Sequence, residues 1–122
     1  PMGEVKIGEI TQFTADDFSF VEGRLDLGQE MAVPLIAGTI KYVDDNFKNH
    51  IKLLDAPPGT SCSVIEASRF SDFVVLITES TPFGLNDLTL AVETMRILKQ
   101  DFGVIINRYG IGDNGVEEYC KS

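Results

Sequence analysis

Nowhere in these 122 residues does a Gly-x-x-x-x-Gly-Lys-Ser/Thr loop occur, so the chain brings no phosphate cradle of its own. Positive charge is also scarce. Ten basic residues face 19 acidic ones, the formal net charge is −9, and Lys and Arg form no cluster. That balance argues against nucleic acid and anionic membranes as direct partners. No apolar run approaches the roughly 20 residues that span a bilayer, and the start lacks a basic-then-apolar signal pattern, so no membrane insertion is expected. Cysteine is limited to Cys62 and Cys120, far apart and without Cys-x-x-Cys spacing. Two such residues cannot build a disulfide framework, a cluster site or a structural zinc site, and they suit a reducing cytoplasm. His50 is the single histidine. With no Ser/His/Asp set and no His-x-x-x-His spacing, triad hydrolases and metalloenzymes have no support, and His50 reads as structural.

What is present is globular. Apolar residues make up 43% and charged residues 24%, which suits one domain with one core. There is no repeat and no low-complexity linker. The first stretch predicts edge strands, one around Val5, Ile7 and Ile10, another around Phe18, Phe20 and Leu25, with polar Thr14–Asp17 between them. A β hairpin or edge pair over residues 1–28 follows. Residues 29–122 read as βαβ units. Met31, Ile36, Ile40, Val43 and Phe47 fall at helical spacing, with Pro34 tolerable in the first turn.

Three near-continuous apolar runs, Ile51–Leu54, Phe73–Ile77 and Gly103–Ile106, predict strands of one parallel sheet buried on both faces. Ser61 to Ser68 predicts a short helix. A longer one has Asn86 as cap, Leu85 and Leu90 as a staple, and Leu88, Val92, Met95 and Leu98 along one face. A turn at Gly112–Gly115 leads to a last helix from Val116 to Cys120. The expected fold is therefore α/β, a mainly parallel sheet with flanking helices and right-handed crossovers. An edge-like strand at the start and a helix start at the end read as cuts in a larger protein.

The stretch Ile51-Lys-Leu-Leu-Asp-Ala-Pro-Pro-Gly-Thr-Ser-Cys62 carries the chemistry. A carboxylate at the carboxyl end of a buried strand, Asp55, is placed to hold a magnesium shell, through water. Pro57 and Pro58 stiffen the turn and remove two N–H groups, so Gly59 and Thr60 supply the donors beside the carboxylate, and Gly59 can turn its N–H to a terminal phosphate. Asn107 ends the third apolar run in Ile-Ile-Asn-Arg-Tyr. Its amide offers a donor and an acceptor side by side, matching an adenine edge. A single Asp ending a strand or an Asn in a turn is common, but both positions fall where open α/β sheets bind ligands. Thr78–Gly84 borders a nucleotide or a partner, or is an ordinary βα loop. Cys62 reads as a small packed thiol more readily than as a reactive one.

These residues resemble a known family. Leu54–Cys62, Thr78–Leu85 (Thr-Glu-Ser-Thr-Pro-Phe-Gly-Leu) and Gly103–Tyr109 (Gly-Val-Ile-Ile-Asn-Arg-Tyr) stand in the order found in the carboxyl-terminal half of MinD/ParA/Mrp-type P-loop ATPases. The nearest likeness is to the branch with an inserted ferredoxin domain, whose following segment resembles Glu22–Met31 with Pro34-Leu35. The resemblance covers most of the chain. It implies a partial P-loop NTPase, Rossmann-like and three-layered. It also implies a cytoplasmic ATP-hydrolysing homodimer linked to redox or iron–sulfur partner proteins. In it Asp55 orders magnesium, Gly59 senses the γ-phosphate and Asn107 reads adenine, with Pro58, Thr60 and Arg108 among the nucleotide contacts.

The lysine-bearing loop, a catalytic aspartate and the iron–sulfur cysteines of that family would lie upstream of Pro1. The fragment alone is therefore expected to hold no cofactor and to be inactive. The rival from another class is a non-catalytic interaction module with a response-regulator-like sheet. It needs a switch lysine after the third strand, where Asn107 and Arg108 stand instead.

Overall fold

A computed structural model describes residues 4–122. The elements in chain order are β1 (Gly8–Ala15), β2 (Phe18–Leu25), α1 (Ala32–Asn46), α2 (Cys62–Arg69), β3 (Val74–Glu79), α3 (Pro82–Leu98), β4 (Phe102–Asn107) and α4 (Gly115–Lys121). The chain divides into two compact units, residues 1–55 and 56–122. Each unit holds one two-stranded sheet, antiparallel β1–β2 in the first and parallel β3–β4 in the second.

In the first unit the expected antiparallel pair forms, but β1 lies later than expected: Val5 and Ile7 precede it, and Thr14 and Ala15, expected in the connection, pair within it. Ala15 pairs with Phe18, so Asp16 and Asp17 make a two-residue connection. Asp16 takes a left-handed backbone (φ 50), which aspartate tolerates better than most residues. Helix α1 lies on one face of the ribbon. A Cβ at Gly23 would fall 2.3 Å from the Thr39 hydroxyl oxygen, so glycine there lets α1 approach. The Tyr42 hydroxyl donates to Gln12 Oε1 at 2.7 Å and ties helix to ribbon. Among the described residues of this unit Ile40 is the one buried apolar side chain, a thin core.

In the second unit α3 packs on β3 and β4. Its start differs from the expected Asn86 cap. Thr81 is the N-cap, accepting the Gly84 N–H at 3.0 Å, and Pro82 opens the helix where its missing N–H costs nothing. The Thr-Pro-x-Gly order supplied this cap one turn earlier than Asn86 could. The expected face is correct: Leu88, Val92 and Met95 are buried. Leu88 and Val92 join Val116 of α4 in the core, with Leu76, Val104 and Ile106 packed against them. Full burial of one such side chain is worth about 1.5–3 kcal/mol. Lys99 ends α3 in a left-handed conformation (φ 55).

The structure overturns the expected mainly parallel, three-layer P-loop sheet. Two separate two-stranded sheets stand in its place. Residues 51–57 belong to no strand, and Ile51 and Leu53 are 97% and 89% exposed. An apolar run becomes a strand only where a neighbouring backbone takes up its N–H and C=O groups, and no ladder includes this one. Burial on both faces also fails. Val75, Ile77 and Ile105 remain half-exposed or more, opposite the face that α3 covers. The parallel pairing of the other two runs does hold, with Leu76 opposite Val104 and Glu79 opposite Asn107.

Candidate functional site

The parallel pairing brings the carboxyl ends of β3 and β4 together, with Glu79 and Asn107 as register partners. Behind Glu79 the chain turns sharply into α3. The Thr78 hydroxyl, itself buried, donates to the Gly84 carbonyl at 2.9 Å. A Cβ at Gly84 would sit 2.2 Å from the Glu79 carbonyl oxygen, so only glycine fits this close return. Thr78–Gly84 is therefore a rigid, hydrogen-bonded turn.

After β4, Arg108 adopts a left-handed backbone (φ 53) and its N–H donates to Asn107 Oδ1 at 3.0 Å. Asn107 thus spends its amide oxygen on the turn, while its NH2 group has no partner among the described residues. Arg108 Nε lies 3.6 Å from Glu79 Oε1, an exposed pair that contributes little to stability.

Residues 109–114 then fold back over Ser80. The Asp113 N–H donates to the Ser80 carbonyl at 3.2 Å, and Asp113 Oδ1 accepts the Gly115 N–H at the start of α4. A cleft of about 120 Å³ opens there, lined by Ser80, Tyr109, Ile111, Asp113 and Glu117 among others. It is well below the roughly 300–1,000 Å³ of ordinary small-molecule sites. The hydrogen bond and charge of Lys121 hold the Glu117 carboxyl below its usual range, and a hydrogen bond from the Tyr109 hydroxyl adds to this. Sequence reading missed this cleft. Gly110 and Gly112, both at positive φ, were the available signal for a tight loop.

Gly112 is the keystone of that loop. Its φ is +113, and a Cβ there would lie 1.8 Å from the Ser80 carbonyl oxygen. Gly112→Ala is expected to cost about 2–4 kcal/mol, from backbone strain plus displacement of the Ser80 contact. Urea unfolding checks this, with Gly110→Ala (positive φ but open space around its Cβ) as the milder comparison.

The remaining expected site residues lie elsewhere along the chain. Asp55 ends the first unit, exposed, with no ion pair among the described residues. Pro58, Gly59 and Thr60 form an exposed bend that leads through Ser61 into α2. Gly59 has φ +95 with open space where a Cβ would stand, so its backbone is approachable from solvent. Cys62 opens α2 and is a free, exposed thiol rather than a packed one. His50 is exposed and edge-on to Phe47 at 5.4 Å. No group of three or more His, Cys, Asp or Glu residues suited to a metal occurs among the described residues.

Comparison with known proteins finds two distant relatives in Methanocaldococcus jannaschii. The uncharacterized protein MJ0579 is 32% identical over 108 residues, which is 88% of this chain and 39% of that protein. The uncharacterized protein MJ0578 is 25% identical over 96 residues, 79% of this chain and 34% of that protein. The chain thus spans under two fifths of the length of these curated relatives. No family model matches it. No solved structure matches it significantly. Among the described residues, no helix is long and apolar enough to cross a membrane.

Proposed function

We propose that this chain is the carboxyl-terminal part of a longer cytoplasmic ATPase of the MinD/ParA/Mrp type. That ATPase would act as a magnesium-dependent dimeric switch for redox or iron–sulfur partner proteins. The observation that carries the reading is the ordered set Asp55-Ala-Pro-Pro-Gly59, Thr78–Leu85 and Asn107-Arg-Tyr109. The parallel pairing of β3 and β4 supports it, since it sets Asn107 at a carboxyl strand end. So do the greater length of the relatives, which leaves room for a phosphate-binding loop outside this segment, and the two free thiols, which suit a reducing compartment. In this reading Asp55 orders Mg2+ through water, Gly59 reports the γ-phosphate, and Asn107 selects adenine. Pro58, Thr60 and Arg108 shape the contacts around them. Iron–sulfur clusters would belong to the longer protein.

Asn107 provides the direct test. In the longer protein Asn107→Ala is expected to weaken ATP binding by roughly 1–3 kcal/mol, the cost of a polar partner left unpaired, and to narrow the preference for ATP over GTP. Competition with a fluorescent ATP analogue reads both effects. Unchanged ATP affinity and unchanged ATP/GTP preference would remove Asn107 from the nucleotide site. A longer protein that binds no ATP at all would overturn the whole reading.

A further inference from the structure

The two faces of the β1–β2 ribbon differ sharply. One carries Gly8, Ile10, Gln12 and Gly23 and is taken by α1, through Leu35, Gly38, Thr39 and Tyr42. Strand alternation sends Phe13, Phe18 and Phe20 to the other face. Phe13 and Phe20 are direct cross-strand partners with ring centroids 6.3 Å apart, and Phe18 sits two pairs nearer the turn, opposite Ala15 and next along the same face. These three phenylalanines are 54%, 76% and 61% exposed. Three aromatic rings gathered at the end of a ribbon form an apolar contact surface, the kind of anchor that dominates binding energy at protein interfaces.

The charges around the rings narrow the partner. Asp16 and Asp17 form the turn beyond Phe18, and neither makes an ion pair among the described residues. On the same face Glu22 and Glu9 are already engaged, with Arg24 and Lys6. The tip therefore presents aromatic rings edged by two uncompensated carboxylates, on a chain of net charge −9. A second copy of the tip, or an anionic lipid surface, would set like charges together. An apolar groove bordered by Lys or Arg complements the surface in both respects.

We propose that the hairpin tip, Phe13, Phe18 and Phe20 with Asp16 and Asp17, is a docking surface for a protein partner with an apolar groove rimmed by basic residues. The proposal stands apart from the nucleotide reading and uses none of its residues. Electrostatics steer the encounter and the rings supply most of the hold, so the two contributions separate experimentally.

The probe is a synthetic amphipathic Leu/Lys helical peptide, with a Leu/Glu peptide of the same pattern as control, titrated into the chain and followed by NMR. The Leu/Lys peptide is expected to shift signals of Phe13, Phe18 and Phe20, and the Leu/Glu peptide to leave them unchanged. Phe18→Ser should weaken binding about tenfold or more, the scale of an interface anchor. Because Phe18 is 76% exposed, the change should leave the fold intact, and unchanged far-UV circular dichroism verifies that. Asp16→Asn with Asp17→Asn should reduce the salt dependence of binding. Any of four results overturns the proposal. These are peptide shifts confined to other residues, Phe18→Ser binding as the wild type does, and a concentration-dependent dimer abolished by Phe18→Ser. The fourth is protection of Phe18 from hydroxyl-radical footprinting in the longer protein by itself.

Discussion

Asp55→Ala in the longer protein is expected to lower ATP turnover by about 10²–10³-fold or more while leaving most of the nucleotide affinity. In the proposed reading the carboxylate orders Mg2+, and its contribution is greatest where charge develops on the transferring phosphoryl group. In the same reading, contacts to the base and the phosphates would hold the ground state and would be untouched. The magnesium dependence of turnover should shift to higher concentrations in the same variant. Phosphate-release kinetics over a magnesium series, beside equilibrium nucleotide binding, separate the two effects. Asp55 is exposed and makes no ion pair among the described residues, so its removal should cost little stability, and lost activity would not reflect unfolding. Wild-type turnover in this variant would remove Asp55 from the switch.

The second large effect concerns the core. Val116 is 0% exposed and packs with Leu88 and Val92 beneath the β3–β4 sheet. Val116→Asp places a carboxylate there without a partner. An unpaired buried charge costs about 3–5 kcal/mol or more, comparable to the whole stability expected of a unit this size. Residues 56–122 should therefore lose their cooperative unfolding transition. Ile97→Asp is the matched control. It makes a similar change on the solvent side of α3, where Ile97 is 81% exposed, and should move stability by no more than about 0.5 kcal/mol. Thermal unfolding of the two variants side by side gives the answer, and a cooperative Val116→Asp transition near the wild-type midpoint would contradict the core described here.

Local pattern alone was enough for several elements. Two apolar-spaced segments on either side of polar Thr14–Asp17 were enough to expect a hairpin, although not the bounds of β1. The Leu88, Val92 and Met95 spacing specifies the buried face of α3 because a helix repeats every 3.6. The runs at β3 and β4 pair in parallel as their Val, Ile and Leu content implied. The residues proposed for nucleotide contact rest on motif order, Asp-Ala-Pro-Pro-Gly and Asn-Arg-Tyr, and the variants above are their test. The 109–114 loop over Ser80 depends on a close backbone approach that composition does not encode.

Tertiary structure decided what depends on neighbours. Ile51–Leu54 has the composition of a central strand, yet a strand exists only with a ladder partner, and that is a property of distant chain rather than of four residues. For the same reason the outer face of β3–β4, apolar by sequence, stays open at Val75, Ile77 and Ile105. Periodicity states that a face is apolar and cannot state what lies against it. In the hairpin, alternation separated the phenylalanines from Ile10 and Gly23, but only the docking of α1 determined which set would be covered and which would face solvent.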